Sequence, residues 1–284
     1  MGIVNATPDS FSGDGLAGQG LEALVARAHA LVGEGATLID VGGESGITNR
    51  PAVSLAEEID RVVPVVARLA ATGVRVSVDT WKAQTAAAAL EAGAVMVNDV
   101  SGLRDPEMAA VCAQWNATLV ITHTRAAPKE KAFPPYDDVI TDVTSFLSER
   151  IARALDAGVD PSRIVVDPGI DLAKTPAQSV EMLVRLGELH ALGKPILLAV
   201  SRKDFVGALT GRAPRERLGG TLAAVGAGLD AGVAILRVHD VAQVVDYLRV
   251  RAALSGEEPV PPGLHLPEAL RREASQPPVG VPPS

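Results

Sequence analysis

Arg163-Ile164-Val165-Val166-Asp167-Pro168-Gly169 is the stretch that decides the fold, because it joins a short apolar run to a carboxylate and a turn. Seven other runs of this kind occur along the chain, and most are near-continuous in Val, Ile and Leu rather than alternating. Strands that are buried on both faces of a sheet have this composition. The eight predicted strands are Gly2–Val4, Thr37–Val41, Arg75–Val78, Val95–Val97, Thr118–Thr122, Arg163–Val166, Ile196–Val200 and Ile235–Val238.

Amphipathic helical patterns separate the predicted strands. In Leu21–Val32 and Ile59–Leu69, apolar residues recur three and four positions apart, so each helix has one apolar face for the sheet. Eight such strand–helix units predict an α/β fold, a single (β/α)8 TIM barrel over residues 1–254, with a doubly wound open sheet as the alternative. After Ser255 the chain becomes rich in proline, and residues 255–284 are predicted to form an extended or disordered tail.

Composition excludes several classes of protein. The 284-residue chain is 47% hydrophobic, which is enough for a large core, and its net charge of −8 argues against a nucleic-acid partner. The single cysteine, Cys112, excludes a disulfide framework and a cysteine-based metal site. We see no signal peptide, and no apolar run approaches the ~20 residues of a membrane span. We therefore expect a cytoplasmic protein without a membrane partner.

Four polar residues at or just after the ends of strands form the first candidate site: Asp79, Asn98, Asp167 and Lys203. The carboxyl ends of barrel strands meet at one face, where such side chains are costly to bury without a ligand or mutual pairing. Carboxylates accept hydrogen bonds from ring N–H and amino groups, and an ammonium donates to a carbonyl. The group therefore favours a flat nitrogen heterocycle as ligand. The alternative is that the acids cap helices or pair with Lys203 structurally.

A second group, Asn5, Arg50, Arg237 and His239, is cationic or hydrogen-bonding and contains no carboxylate. Arg237 and His239 are two apart at the end of the last predicted strand, so their side chains point the same way, whereas Asp240 faces the opposite side. Barrels commonly bind phosphate at the loops after strands seven and eight, and arginine suits phosphate oxygens. We therefore expect an anion site here rather than a structural arginine, which would more usually have an acid nearby.

Three loops are longer than tight turns, at residues 6–20, 42–51 and 125–138. The first two are glycine-rich, and the third contains three prolines. All three follow predicted strands on the face where barrels keep their sites, so we interpret them as mobile covers.

Seven motifs carry a resemblance to a known family. They are M-G-I-V-N-A-T-P-D-S-F at residues 1–11, I-D-V-G-G-E-S, S-V-D-T, V-N-D-V-S-G, D-P-G-I, V-S-R-K and L-R-V-H-D-V, in order over residues 1–254. The chain resembles the dihydropteroate synthases, the sulfonamide targets of folate biosynthesis. The resemblance implies a barrel transferase, commonly a homodimer, that joins 6-hydroxymethyl-7,8-dihydropterin pyrophosphate to p-aminobenzoate. Pyrophosphate is released with Mg²⁺ present.

The resemblance also implies roles for single residues. Asp79, Asn98, Asp167 and Lys203 would hold the pterin ring, with Arg237 over its face. Of these, Asp167, Lys203 and Arg237 are the predicted catalytic residues. Asn5, Arg237 and His239 would hold pyrophosphate, with Asn5 also the predicted Mg²⁺ ligand. Whether Arg50, in its longer loop, corresponds to the family's arginine is open.

Departures from the family motifs surround the predicted co-substrate pocket of Phe11, Arg202 and Asp204. Where the family has S-R-K-S-F, this chain has Asp204 in place of the last serine. In the family, that serine contacts the aminobenzoate carboxylate. A carboxylate there would repel an anion by on the order of 1 kcal/mol or more, unless Arg202 neutralises it.

Three functions stay open at this point: a dihydropteroate synthase, a pterin-binding paralogue with little or no p-aminobenzoate activity, and a methyltetrahydrofolate-binding barrel of the corrinoid methyltransferase kind. Asp204 discriminates between the first two. His239 argues against the third, which binds no pyrophosphate.

Overall fold

The computed structural model describes residues 1–7, 20–44 and 51–271. Short strands alternate with helices through these residues. The strands are β1 (Gly2–Asn5), β2 (Ile39–Gly42), β3 (Val76–Asp79), β4 (Met96–Asp99), β5 (Thr118–Thr122), β6 (Ile164–Asp167), β7 (Leu197–Leu198) and β8 (Ile235–Leu236). The helices are α1 (Leu21–Gly33), α2 (Leu55–Ala71), α3 (Ala83–Glu91), α4 (Met108–Gln114), α5 (Val139–Asp156), α6 (Pro176–Val184), α7 (Asp204–Thr210), α8 (Leu218–Asp230) and α9 (Val241–Ser255).

These strands are parallel and form one closed ring. β1 to β6 pair in chain order, and β7 pairs with β8. Two single bridges close the ring, Val166 with Ile196 and Gly2 with Val238. The predicted (β/α)8 barrel is therefore confirmed, because an open sheet would leave two edges unpaired.

The last two strands are shorter than the sequence predicts. Backbone bonding nevertheless continues past β8, from the Arg237 N–H to the Leu198 carbonyl at 3.0 Å and from the Val238 N–H to the Met1 carbonyl at 3.0 Å. These isolated bonds fix the positions of Arg237 and His239 although regular pairing has stopped.

Apolar side chains fill the inside of the ring. Leu38, Met96, Val120, Val165 and Leu197 come from five segments of the ring and form one buried cluster, each at 6% exposure or less. A barrel interior packed in this way is a core rather than a pore. Polar groups are left for the strand ends.

A capping box fixes the beginning of α6. Thr175 Oγ1 accepts the Gln178 N–H at 3.3 Å, and Gln178 Oε1 accepts the Thr175 N–H at 2.7 Å. This reciprocal pair satisfies two amide groups that a helix start leaves unbonded. The loop between β6 and α6 is thereby held at its far end, immediately after Lys174.

The chain divides into two compact units, Met1–Val245 and Asp246–Ser284, and the barrel strands belong to the first. In the second, α9 ends at Ser255, residues 256–267 contain no regular helix or strand, and Glu268–Leu270 form one 3-10 turn. The predicted boundary at residue 254 and the extended or disordered tail stay predictions. None of the described helices is long and apolar enough to cross a membrane.

Candidate active site

A cavity of about 590 Å³ opens at the carboxyl ends of the barrel strands. Residues 126–133 of the loop after β5 form part of its wall. That this loop is a mobile cover stays a prediction. Eight predicted site residues line it: Asn5, Asp79, Asn98, Asp167, Lys203, Asp204, Arg237 and His239. Arg202 is not among the lining residues, and Phe11 and Arg50 lie outside the described residues.

Buried polar atoms with unused hydrogen-bonding capacity mark where a ring could bind. Asn98 Nδ2 donates to Asp40 Oδ2 at 3.1 Å, but Asn98 Oδ1 and Thr122 Oγ1 have no partner among the described residues. The ammonium of Lys203 also lines the cavity, and it has no hydrogen-bond partner among the described residues. An unsatisfied buried group costs about 1–3 kcal/mol, so a polar ligand that pairs with these atoms is favoured.

Asp167 supplies a carboxylate at the end of β6. It is only 4% exposed, and its Oδ1 accepts the Gly169 N–H at 2.7 Å. Burial raises the pKa of Asp167, while the Gly169 N–H and the nearby charges of Lys203 and Arg237 act in the opposite direction. The carboxylate therefore lies among groups that favour its charged form, in which it can accept hydrogen bonds from a ring.

Arg237 lies between two carboxylates that the sequence analysis did not place beside it. Its Nε lies 2.6 Å from Asp40 Oδ2, and its Nη2 lies 2.7 Å from Asp79 Oδ2. Both acids come from strands far away in the sequence. Burial lowers the pKa of Arg237, but the two acids outweigh it and the net direction is upward. The charge of Arg237 is thus largely balanced, and its planar face suits stacking on a ring better than holding an anion by itself.

The same cluster affects Asp79. Burial raises the pKa of Asp79 to about 7, although Arg237 opposes the rise, with Asp40 adding to it. Two carboxylates share one arginine here, so they repel each other in the buried cluster. Because Arg237 contacts Asp79 through Oδ2, the other oxygen is left for a ligand.

His239 is a neutral hydrogen-bond donor rather than a cation. Ser201 Oγ accepts the backbone N–H of His239 at 3.2 Å and lies 3.0 Å from its Nδ1. The hydroxyl can give its own proton to Nδ1, which places the ring proton on Nε2. Burial lowers the pKa of His239 to about 3, with Arg237 and Arg202 acting in the same direction. The predicted anion group therefore keeps a donor here without a charge.

Arg202 does not neutralise Asp204, the alternative that the sequence left open. Nε of Arg202 lies 3.0 Å from Asp240 Oδ2, whereas Asp204 Oδ1 lies 2.9 Å from Nη1 of Arg217. The side chain of Asp204 is 78% exposed, at the first residue of α7. Solvent screening and Arg217 together reduce the repulsion that Asp204 exerts on an anionic co-substrate.

A buried ion cluster lies beside the cavity. Lys82 Nζ is 2.8 Å from Glu44 Oε2 and 2.7 Å from Glu58 Oε2, and it donates to the Val53 carbonyl at 2.8 Å. Glu44 lines the cavity, and Lys129 of the loop after β5 lies 3.5 Å from its Oε1. Glu44 and Val53 flank the second long loop, so Lys82 holds both of its ends.

Sequence reasoning gave no role to several residues that the structure places in or beside the site, among them the buried Asp40, His123 and Lys174 and the half-buried Lys82. For Asp40 there was a signal, a carboxylate inside the apolar run of β2. Lys174, by contrast, lies in a loop and yet is only 1% exposed. Lysine is almost never fully buried unless it is paired, so nothing local predicted its position.

Comparisons with known proteins agree on one family. The sequence profile described as pterin binding enzyme matches residues 1–239. A dihydropteroate synthase of Bacillus subtilis is 41% identical over 256 residues, covering 89% of this chain and 87% of that protein. A dihydropteroate synthase of Xanthomonas albilineans, solved with 4-aminobenzoic acid, is 43% identical with a TM-score of 0.83, covering 92% of this chain and 93% of that one.

A longer relative is similar only in part. The probable bifunctional folylpolyglutamate synthase/dihydropteroate synthase of Halobacterium salinarum is 47% identical over 254 residues, which is 89% of this chain. The chain spans 31% of that protein's length. The likeness therefore concerns one portion of the bifunctional protein.

Proposed function

Because the chain belongs to the pterin binding enzyme family as a dihydropteroate synthase-like transferase, we propose that its cavity joins 6-hydroxymethyl-7,8-dihydropterin pyrophosphate to p-aminobenzoate and releases pyrophosphate. One observation carries this reaction: unsatisfied oxygens of Asn98 and Thr122 line the same cavity as Asp167 and Lys203. A dihydropterin presents ring N–H, amino and carbonyl groups along its edge, which these side chains can pair with.

Each ring contact has a distinct chemical task. Asp167 accepts from ring N–H and amino groups, Lys203 donates to the ring carbonyl, and Asn98 can do both. Arg237 lies over the ring face, where Asp40 and Asp79 hold its guanidinium. A charged hydrogen bond contributes about 1.5–3 kcal/mol, so these contacts give orientation as well as affinity.

The transfer breaks the bond between the pterin methylene carbon and the pyrophosphate oxygen. The bonding electrons leave with pyrophosphate, the amine nitrogen forms the new bond to carbon, and the amine gives up a proton. Positive charge develops on the methylene and the ring as the bond breaks. Carboxylates fixed beside the ring, of which Asp167 is one, stabilise that charge without reorganising.

The leaving group meets Asn5 and His239. Nε2–H of His239 donates to a pyrophosphate oxygen, and the role of Arg50 stays a proposal. The donor set fits a magnesium ion bound chiefly by substrate oxygens, since Mg²⁺ takes one or two protein ligands plus phosphates and water. The described residues contain no group of three or more His, Cys, Asp or Glu that could hold a metal, and Asn5 would be its protein ligand. When bound, the ion supplies charge that stabilises the departing pyrophosphate.

A pterin-binding paralogue with little or no p-aminobenzoate activity is the second candidate. It is favoured by Asp204, which lines the cavity where family members have serine. The ion pair with Arg217 weakens this argument, and the Xanthomonas albilineans relative solved with 4-aminobenzoic acid supports the first candidate.

Release of pyrophosphate from the pterin pyrophosphate, with and without p-aminobenzoate, separates the candidates. A synthase requires the amine for rapid release. A paralogue gives the same slow release in both reactions while still binding pteroic acid. If the protein binds neither pteroic acid nor the pterin pyrophosphate, both candidates are rejected.

The family resemblance further supports a homodimer and a cytoplasmic location as proposals. Sedimentation equilibrium tests the dimer directly, because a single species at the mass of one chain would contradict it.

A further inference from the structure

The loop between β6 and α6 contains a buried lysine that the proposed mechanism does not use. Lys174 is 1% exposed, and its Nζ lies 2.7 Å from His123 Nδ1, 3.0 Å from the Gly169 carbonyl and 3.3 Å from the Leu172 carbonyl. Three partners complete the donor capacity of an ammonium. A lysine so buried and fully bonded is a built feature of the loop rather than an exposed side chain.

His123 extends this contact towards the surface. It is fully buried at the end of β5, and its Nε2 lies 2.9 Å from Asp142 Oδ1 on α5. Because an ammonium can only donate, Nδ1 of His123 accepts, and the ring proton is on Nε2, donated to Asp142. Burial lowers the pKa of His123 to about 3, with Lys174 acting in the same direction, so the ring stays neutral. Asp142 also accepts from Arg125, whose side chain is 43% exposed.

The cluster connects to the ring-binding carboxylate through one residue. Gly169 donates its N–H to Asp167 Oδ1 at 2.7 Å and accepts from Lys174 with its carbonyl at 3.0 Å. A Cβ built on Gly169 would lie 1.9 Å from the His123 carbonyl oxygen, so the turn packs directly on the end of β5. Asp171 and Ala173 have φ values of 61° and 52°, which non-glycine residues adopt at a cost. Lys174 holds a loop that does not relax into this shape by itself.

Lys174 and Asp167 also interact through their charges. Burial lowers the pKa of Lys174 to about 7, and Asp167 is the leading influence in the opposite direction. Asp142 and Asp171 also favour the charged lysine, and Lys203 disfavours it. A positive charge behind Asp167 stabilises its ionised form, which is the form that accepts hydrogen bonds from a pterin.

We propose that Lys174 is a positioning residue for pterin binding: it fixes the Asp167–Gly169 turn and, as a buried positive charge anchored through His123 to Asp142, keeps Asp167 a carboxylate when the ring binds. This inference rests on the proposed function. It concerns pterin affinity and its pH dependence, and not the site for pyrophosphate.

Lys174→Met tests it, with Lys194→Met as the matched control, because Lys194 precedes β7 and, among the described residues, donates only to the Pro161 carbonyl. Calorimetry from acid to neutral pH should show that the Lys174→Met variant binds pteroic acid about tenfold or more weakly than wild type does. The pH below which affinity is lost should move up by about one unit, since removing a positive neighbour raises the pKa of a carboxylate. Lys194→Met and the affinity for pyrophosphate should not change.

Asp142→Asn provides a second test should the methionine variant fold poorly. It keeps the shape of a partly exposed side chain while removing the charge that anchors His123. The acid limb of the affinity profile, meaning the pH below which pteroic acid affinity is lost, should shift in the same direction as in Lys174→Met, but by less. A uniform loss of affinity with no shift of the acid limb in either variant would overturn the inference, because a merely structural lysine predicts that outcome. Failure of the wild-type protein to bind pteroic acid would instead reject the proposed function.

Discussion

Replacing Lys82 by methionine should strongly destabilise the protein, because it leaves two buried carboxylates without their shared cation. The side chains of Glu44 and Glu58 are each 2% exposed, and Lys82 lies within 2.8 Å of both. Thr80 and Thr85 still donate to Glu58, at 2.6 and 3.3 Å, but neither carries charge. Methionine matches the length of the lysine stem, so lost packing is a small part of the effect.

The magnitude follows from the burial of the acids. Removing one partner of a buried pair costs about 3–5 kcal/mol, which in a chain of this size lowers the melting temperature by about 6–20 °C. Burial lowers the pKa of Lys82, but its hydrogen bonds to Glu44 and Glu58 outweigh this and the net direction is upward. A lysine whose pKa is higher in the folded than in the unfolded protein stabilises the fold fully at pH values below its unfolded-state pKa. This stabilisation is lost only as the pH rises through the folded-state pKa. The contribution of Lys82 to the stability of wild type should therefore be constant between about pH 6 and 9.

Urea and thermal unfolding, followed by circular dichroism, measure this difference. The control is Arg68→Met, which removes an ion pair of similar length, 3.0 Å, whose side chains are 54% and 73% exposed. That change should stay within about 0.5 kcal/mol. Adding Glu58→Gln to Lys82→Met should recover part of the loss, since one unpaired charge is removed. A loss below about 1 kcal/mol in Lys82→Met would contradict this expectation, because Glu58 would then be tolerated without a cation and Glu44 with Lys129 alone.

Four other substitutions separate the parts of the site. Asp167→Ala should weaken pterin binding about tenfold or more by removing a charged hydrogen-bond acceptor, and an unchanged calorimetric affinity would contradict the ring assignment. His239→Ala should weaken pyrophosphate binding with little change in melting temperature. The ratio of wild-type to variant pyrophosphate affinity should stay constant between about pH 5 and 8, because the ligand titrates equally in both measurements and a pKa of about 3 leaves His239 neutral there. Arg237→Ala should lower the melting temperature as well, since it strands two carboxylates; a change confined to pyrophosphate binding would show that the ion pairs contribute nothing. Asp204→Ser should raise kcat/KM for p-aminobenzoate by less than about fivefold and leave pterin affinity unchanged, because Arg217 and solvent already screen Asp204, and a larger gain would show that the ion pair is weak.

The sequence by itself determined the barrel and the end of it that carries the site. The spacing of apolar residues in strands and helices is a local property of the sequence. Runs such as Ile164–Asp167 therefore predicted both a buried strand and the polar group at its carboxyl end. Parallel strands then bring those ends together whatever the loops do. Asp79, Asn98 and Asp167 therefore meet in one cavity as predicted.

Only the tertiary structure decided which charges pair. Arg237 contacts Asp40 and Asp79 across 197 and 158 residues of sequence, so no local pattern marked it as balanced. The partner of Asp204 is Arg217 rather than Arg202 for the same reason, and Lys174 gave no sign that it would be buried. Ion pairing depends on distance and burial, which packing sets and which residue order does not encode one position at a time. The chemistry of the strand ends could thus be predicted, whereas their electrostatics could not.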